Sequence, residues 1–291
     1  VSSVGEAAVS GVSLVDMINV LLINIFAALA TGGAVITSQY LGAHAPEKAR
    51  SSANQLILSS LVISAAVMIF TYFLRSALLR LIFGSIADDV MQNALTYFAI
   101  SSFSYPFIAL YNSCAALFRS MGNSKISMVT SLIMNAVNIA GNAILVFIFH
   151  MGVAGVALPS LISRVLGALM LLVLLHRRKH EVYLTYRSCL LPKWAIIKRI
   201  LHIGIPNALE NSMFQLGRIL VVSIIATFGT VQIAANAVAN NLDALGCIPG
   251  QAMSLAMITV VGQCVGARDY EQAKHYAKRL MKTTYLITAL L

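Results

Sequence analysis

Long runs of apolar residues, separated by short polar breaks, follow one another along the whole sequence. Each complete run has at least the ~20 residues that a helix needs to cross the hydrocarbon core of a bilayer. The alternation that marks a transmembrane β-strand is absent. The pattern predicts an all-α integral membrane protein, a polytopic helical bundle. Its predicted spans are 9–38, 53–74, 93–118, 126–149, 153–175, 200–228 and 231–262, with an eighth starting near residue 280.

The composition agrees with a lipid environment and argues against a soluble protein. Hydrophobic residues make up 59% of the chain and charged residues 10%, whereas soluble domains carry about 25% charged residues. None of the four cysteines belongs to a Cys-x-x-Cys pair, so we expect no metal site. The net charge of +10 is explained by basic loops at an anionic lipid surface, and we expect no nucleic-acid partner.

Lysine and arginine are distributed unevenly between the two sets of breaks. One set, at 39–52, 119–125, 176–199 and 263–282, carries 16 basic residues, and the alternate set carries 2. Cytoplasmic loops of membrane proteins hold the excess of Lys and Arg. We therefore expect a multi-pass protein of the cell membrane with its basic loops in the cytoplasm.

Two segments match without a gap at a spacing of 224 residues, SQYLGAHAPEKAR at 38–50 and GQCVGARDYEQAK at 262–274. We expect Gly42 and Gly266 to close their helices in a left-handed conformation. Glu47 and Glu271 then lie near the start of the next helix, where the dipole favours a carboxylate. Six predicted spans separate the copies, which indicates parallel repeats related by an axis along the membrane normal.

Further motifs occur in a fixed order along nearly the whole chain. They are GEAAVSGVSLV at 5–15, the repeated Gln-x-x-Gly-Ala helix end, RSMGNSKISM at 119–128, MGVAGVAL at 151–158 and HIGIPNALENSMFQLG at 202–217. Together these motifs resemble the multidrug and toxic compound extrusion (MATE) transporters. The resemblance implies a twelve-helix exporter with two six-helix lobes that rock around a central cavity. Inward flow of H⁺ or Na⁺ drives the export of organic, often cationic, compounds in such a transporter.

The resemblance also implies a division of the chain. Residues 1–178 form an N-terminal lobe without its first transmembrane helix, 179–195 form a cytoplasmic linker, and 196–291 begin a C-terminal lobe. The chain starts at Val1 and ends inside an apolar run, so we expect a piece of a longer protein. We expect no cofactor beyond the coupling cation, small organic substrates as partners in the bilayer, and a monomer.

Charged residues inside the predicted spans are candidate ion- or substrate-binding residues, because a charge at mid-bilayer costs ~2.5–3.5 kcal/mol on insertion scales. Glu210 is the first candidate. Pro206 lies four residues earlier and frees a backbone carbonyl, and a carboxylate near such carbonyls can bind H⁺ or Na⁺. Members of the resembled family often carry a Glu in this span, in several about one turn further on, where this chain has Phe214. Asn207 is a further candidate in this span, and a structural hydrogen bond of Glu210 with Asn207, Asn211 or Arg218 is the alternative.

Asp16 and Asp243 form the second candidate site. At the 224-residue spacing Asp16 aligns with Asn240, and Asn19 with Asp243. Residues three apart share a helix face, so each half presents one Asp and one Asn that suit the lining of a cavity. The alternative is an interhelical hydrogen bond worth ~0.6 kcal/mol. Arg164 is a further candidate, which either anchors a carboxylate or extends to the membrane interface.

Two other classes of function compete with drug export. A flippase for lipid-linked saccharides, from the same superfamily, often carries several cavity Arg or Lys residues to meet phosphates. The spans here hold only Arg164 and Arg218 against three acids, which favours cationic or neutral substrates. A membrane-embedded enzyme is the second alternative, but the chain has no His-Glu-x-x-His, Gly-x-Ser-x-Gly or P-loop motif. We therefore predict a transporter and not an enzyme.

Overall fold

The fold is helical throughout the part of the chain that the computed structural model describes, residues 5–84, 87–177, 180–184, 192–226 and 230–290. A π-helical turn, Ile144–Ile148, extends the fifth helix. The α-helices in these ranges are α1 (Glu6–Gly42), α2 (Pro46–Phe83), α3 (Asp88–Phe103), α4 (Tyr105–Ser120), α5 (Ser124–Ala143), α6 (Ala154–His176), α7 (Trp194–Ala226), α8 (Thr230–Gly266) and α9 (Tyr270–Leu290).

Several of these helices are long and apolar enough to cross a membrane. Within the described residues there are 5 such segments, and a sixth if the bent pair α3 and α4 is counted as one span. The five are Ala7–Gly42, Pro46–Phe83, Ser124–Ile148, Ala154–His176 and Leu242–Gly266. The predicted all-α, multi-pass membrane fold is therefore confirmed. The predicted span 200–228 is covered largely by α7, which is not in this set, and the predicted break at 229–230 falls partly outside the described residues.

The predicted span 93–118 consists of two helices instead of one. The axes of α3 and α4 meet at an angle of 44° at Ser104. Pro106 is in the first turn of α4, and a proline there has no N–H for the preceding turn, so the helix cannot continue straight. Ser104 lies at the break and supplies donors to the end of α3. Its N–H and its hydroxyl both donate to the carbonyl oxygen of Ser101, at 3.0 and 2.6 Å.

Helix α1 is the central element of the bundle. It packs against α2, α3, α4, α7 and α8. Small residues permit this density, because a Cβ atom on Gly33 would lie 2.4 Å from a methyl carbon of Leu56, and one on Gly32 would lie 2.6 Å from the carbonyl oxygen of Ile200. Because α1 contacts α2 to α4 and also α7 and α8, it fixes the relative position of these two groups of helices.

The two copies of the internal repeat contact each other reciprocally. A Cβ atom on Gly42 would lie 1.9 Å from the carbonyl oxygen of Gln263, and one on Gly266 would lie 2.0 Å from that of Gln39. Both distances are far below a van der Waals contact. The ends of α1 and α8 can therefore approach this closely only with glycine at both positions.

The repeat also has the same turn in both copies, but the turn differs from the prediction. The left-handed residues are His44 and Arg268, with φ of 51° and 61°, and Gly42 and Gly266 are the last residues of their helices. The prediction that these glycines supply the left-handed closure was wrong, because the helix contact requires them instead. The predicted carboxylates in the first turn of the next helix, Glu47 and Glu271, are confirmed.

The predicted lobe boundaries lie close to the end of α6 and the start of α7. Of the predicted linker, 179–195, the structure describes residues 180–184 and 192–195. Its described part folds back on α2, where Arg50 donates from Nε to the carbonyl oxygen of Glu181 at 3.1 Å and stacks on the ring of Tyr183 at 4.2 Å. The division into lobes stays a prediction.

Candidate functional site

Polar side chains meet inside the apolar bundle of α1, α3, α4 and α6. We name this group the Asp16 cluster. Two members come from α1, one each from α3, α4 and α6, and one from the break between α3 and α4. They are Asp16, Asn19, Tyr97, Ser104, Tyr105 and Arg164.

The two α1 residues of the cluster are held by tyrosine hydroxyls. Tyr97 donates to Asp16 Oδ1 at 2.9 Å, and Tyr105 donates to Asn19 Oδ1 at 2.7 Å. Asn19 donates in turn from Nδ2 to Asp16 Oδ1 at 3.2 Å, as expected for residues three apart on one helix face. Both tyrosines and Asn19 are buried. Tyr97 on α3 thus holds Asp16, and Tyr105 on α4 holds Asn19.

Arg164 belongs to the same cluster and contacts the break between α3 and α4. Its Nη1 donates to Ser104 Oγ at 2.5 Å. No ion pair joins Arg164 to Asp16 among the described residues. The cluster thus holds one acidic and one basic side chain that have different hydrogen-bond partners.

Sequence reasoning identified the charged members of the cluster but missed Ser104, Tyr97 and Tyr105. The signal in the sequence is the Ser-Tyr-Pro tripeptide within an apolar span. A proline bend leaves backbone carbonyls unpaired, and neighbouring hydroxyl groups can form hydrogen bonds there. Nothing in a single sequence indicates which polar partner lies opposite.

A second polar group joins α5 to α6 beside the π-helical turn. Asn138 donates to Ser160 Oγ at 3.0 Å and accepts from Asn142 Nδ2 at 3.0 Å. The Oδ1 atom of Asn142 is buried without a hydrogen-bond partner among the described residues. Single π-helical turns inside α-helices frequently occur at functional sites, so this group is a secondary candidate.

Glu210, the first sequence candidate, is exposed on α7, and no described residue donates a hydrogen bond to its carboxylate. The structural alternative for Glu210 is not formed within the described chain. Asn207 accepts from Asn211 Nδ2 at 3.2 Å, and Arg218 donates to Asn240 Oδ1 at 3.4 Å. Glu210 thus stands apart from the Asp16 cluster.

The corresponding polar residues of α8 differ from those of α1. Asn240 lines a cavity of about 460 Å³ together with Arg218 and Phe214. Asp243 is exposed, and its Oδ1 is 3.9 Å from the Cys247 sulfur. No Asn240–Asp243 bond that would mirror Asp16–Asn19 is found in the described part of α8. The repeated Asp and Asn positions therefore occupy different environments.

The Asp16 carboxylate is the group best suited to exchange a cation. It is partly exposed, and its Oδ2 accepts no hydrogen bond from any described residue. A carboxylate in an apolar bundle is costly unless it faces a polar cavity or a partner. The free oxygen can take a proton or meet a cationic ligand, while the bonds to Oδ1 hold the side chain in place.

Comparisons with family models and with related sequences point to the same protein family. The family model described as MatE matches residues 1–144 and 206–291. The uncharacterized transporter YisQ of Bacillus subtilis is 27% identical over 98% of this chain and 62% of its own length. The probable multidrug resistance protein NorM of Thermotoga maritima is 26% identical over 91% of this chain and 57% of its own length.

The same comparison extends to solved structures. An outward-facing conformation of a multidrug resistance MATE family transporter superposes with a TM-score of 0.90 at 22% identity, and covers 99% of this chain and 63% of that protein. The chain thus spans somewhat under two thirds of the length of these relatives. At this identity the superposition establishes the fold alone.

Proposed function

Because the chain belongs to the MATE family of membrane transporters, we propose that the complete protein exports organic, often cationic, compounds by antiport with H⁺ or Na⁺. The family match over most of the chain is the observation that carries this proposal. A relative named as a probable multidrug resistance protein supports export of structurally varied compounds. The spans hold more acidic than basic residues, which favours cationic ligands.

The coupling cation is proposed to bind at carboxylates inside the bundle. Asp16 is supported by its free Oδ2 and by the buried partners that hold it. Glu210 is supported by its position within the predicted span 200–228, where a carboxylate is costly unless it meets a cation or a polar cavity. Asp243 and its neighbour Asn240 are the candidates on α8.

Transport by rocking of two lobes requires a contact that closes one face and then separates. The reciprocal contact of Gly42 with Gln263 and of Gly266 with Gln39 lies at the basic ends of α1 and α8, which we propose to be cytoplasmic. Side chains of α8 add to it, since Gln263 donates to the carbonyl oxygen of Ser120 at 2.9 Å. This closed arrangement supports an outward-open state as one end of the cycle.

Ethidium accumulation in cells that make the complete protein tests the proposal. We expect lower accumulation with the wild type than without it, and loss of most export in Glu210→Gln and Asp16→Asn at equal expression. Each substitution removes a titratable charge while it keeps the side-chain volume. Glu47→Gln is the matched control, because Glu47 is exposed in the first turn of α2, outside the predicted span 53–74.

Export by both variants at the wild-type rate would remove these carboxylates from the coupling mechanism. Absence of export by the wild type itself, across cationic and neutral dyes, would contradict multidrug export. Imposed pH and Na⁺ gradients in proteoliposomes then identify the coupling cation, because only the gradient of the coupled ion drives uptake.

A further inference from the structure

Arg164 is the basic residue of the Asp16 cluster, and its bond to Ser104 lies at the break between α3 and α4. Its Nη1 donates to Ser104 Oγ at 2.5 Å. Helix α6, which carries Arg164, packs against both α3 and α4. A charged residue within an apolar span is costly unless it meets a partner. The partner that Arg164 meets is the junction between two helices.

The Ser104 hydroxyl connects Arg164 to the last turn of α3. It donates to the carbonyl oxygen of Ser101 at 2.6 Å. Both serines are buried, so these bonds are shielded from lipid and water. A hydroxyl that accepts a hydrogen bond from a charged donor is itself a stronger donor. The carboxyl end of a helix also favours a nearby cation, and Arg164 therefore stabilises the end of α3 in its present direction.

The two tyrosines that hold the α1 residues lie on opposite sides of this break. Tyr97 is on α3 and donates to Asp16 Oδ1, whereas Tyr105 is the first residue of α4 and donates to Asn19 Oδ1. Asp16 and Asn19 are three residues apart on one helix, so the distance between them is fixed. Both tyrosine hydroxyls can therefore reach their acceptors together only within a narrow range of angles between α3 and α4.

We propose that Arg164 is a positioning residue of the Asp16 site and not a ligand of the exported compound. Through Ser104 it fixes the angle between α3 and α4, and this angle places the Tyr97 hydroxyl on Asp16 Oδ1. Each bond in this series joins α1, α3, α4 or α6 to another of these helices or to the break between α3 and α4. The inference rests on the proposed role of Asp16 in cation coupling.

Ethidium transport by the complete protein in everted membrane vesicles tests this role, with the ethidium concentration and the cation gradient varied separately. Arg164→Met removes the donor and keeps the length of the side chain. We expect it to change the cation gradient for half-maximal transport by about fivefold, as for loss of one hydrogen bond, in the same direction as Tyr97→Phe. The ethidium concentration for half-maximal transport is expected to stay the same. Arg164→Lys is expected to restore most of the wild-type behaviour, because its ammonium group can donate to Ser104 Oγ.

Ser104→Ala is the second variant, since it removes the acceptor of the same bond. We expect it to shift the cation dependence as Arg164→Met does, and the double variant is expected to shift it no further, because both substitutions break one interaction. Arg75→Met is the matched control, because the Arg75 guanidinium lies over the Tyr72 ring at 4.7 Å, outside the cluster. If Arg164→Met does not fold, Ser104→Ala decides.

A distance measurement reports the angle between α3 and α4 without any transport. Spin labels at Gln92→Cys and Ser124→Cys lie near the two ends of this helix pair, and both positions are exposed. In the complete protein without its native cysteines, we expect Arg164→Met to broaden the distance distribution and Arg75→Met to leave it unchanged. If the wild type exports no dye, the proposed function fails while this distance still decides the role of Arg164.

A changed ethidium concentration for half-maximal transport, with an unchanged cation dependence, would show that Arg164 acts on the exported compound and would overturn the proposal. Additive effects of Arg164→Met and Ser104→Ala would overturn it as well, since the two residues would then act separately. An unchanged distance distribution in both variants would show that the angle between α3 and α4 does not depend on their bond.

Discussion

Tyr105 and Asn19 show how burial and hydrogen bonding determine what a single polar residue contributes to the stability of this bundle. Both are almost fully buried, with 0% and 3% of their surface exposed. The Tyr105 hydroxyl donates a hydrogen bond to Asn19 Oδ1 at 2.7 Å. A buried acceptor that loses its donor costs ~1–3 kcal/mol. Measured interhelical bonds in membrane proteins average ~0.6 kcal/mol. The burial of both partners places this bond above that average.

Tyr105→Phe is therefore expected to destabilise the complete protein by about 1 kcal/mol, because Asn19 Oδ1 is left without its donor. Tyr97→Phe is expected to have a smaller effect, since Asn19 still donates to Asp16 Oδ1. Unfolding of the purified protein, followed by intrinsic fluorescence, measures the difference. Tyr72→Phe is the control, because the Tyr72 ring packs on Phe103 while its hydroxyl donates to no described residue.

Equal destabilisation by Tyr105→Phe and Tyr72→Phe would show that the Tyr105 hydroxyl contributes nothing to stability. The tyrosine ring alone would then hold α4 against α1.

At the scale of helices, contacts between glycines and backbone set the geometry. The ends of α1 and α8 approach until the main chain of one lies over the glycine of the other. The same hydrogen-bond pattern follows in both copies, since Ala45 N–H donates to Tyr40 O and Asp269 N–H donates to Cys264 O, each at 3.0 Å. Two equivalent helix ends related by a twofold axis can meet each other in this reciprocal way.

Gly42→Ala and Gly266→Ala are expected to push these helix ends apart by similar amounts. Each methyl would lie 1.9 or 2.0 Å from a carbonyl oxygen, and overpacking of this kind costs ~1–3 kcal/mol. Electron paramagnetic resonance distances between spin labels at Glu47→Cys and Glu271→Cys report the separation. These positions are exposed in the first turns of α2 and α9.

Gly250→Ala is the control for that measurement, because no described atom lies within 4 Å of a Cβ placed there. A distance distribution unchanged by Gly42→Ala would contradict the tight contact. A shift in only one of the two alanine variants would contradict its reciprocity.

At the scale of the whole molecule, the distribution of charge predicts the orientation in the membrane. One set of breaks carries 16 basic residues, and the alternate set carries 2. Insertion retains Lys- and Arg-rich loops in the cytoplasm. The proposed function requires this orientation, because the contact of α1 with α8 then closes the cytoplasmic side.

Labelling of single cysteines in intact cells tests the orientation. In the complete protein without its native cysteines, Ala87→Cys is expected to react with a membrane-impermeant maleimide from outside. Lys48→Cys and Lys274→Cys are expected to react only after the cells are opened. All three positions are exposed. The opposite labelling pattern would reverse the assignment and, with it, the proposed direction of closure.

The sequence by itself determined the helical membrane class, the approximate spans, the repeat and the family. Lipid provides no hydrogen bonds to the main chain, so long apolar runs must be helical, and this holds whatever the helices contact. Pro106 is a signal for the bend at Ser104, but the apolar pattern continues through it and predicts one continuous span, 93–118.

Only the tertiary structure decided which polar groups meet. Tyr97 is 81 residues from Asp16, and Tyr105 is 86 residues from Asn19, so no local pattern could pair them. For the same reason the local sequence predicts Gly42 and Gly266 as left-handed ends of their helices, whereas the contact between α1 and α8 is what requires glycine there. Spacing along one helix fixes which face a side chain occupies, but the packing of several helices determines what lies opposite that face.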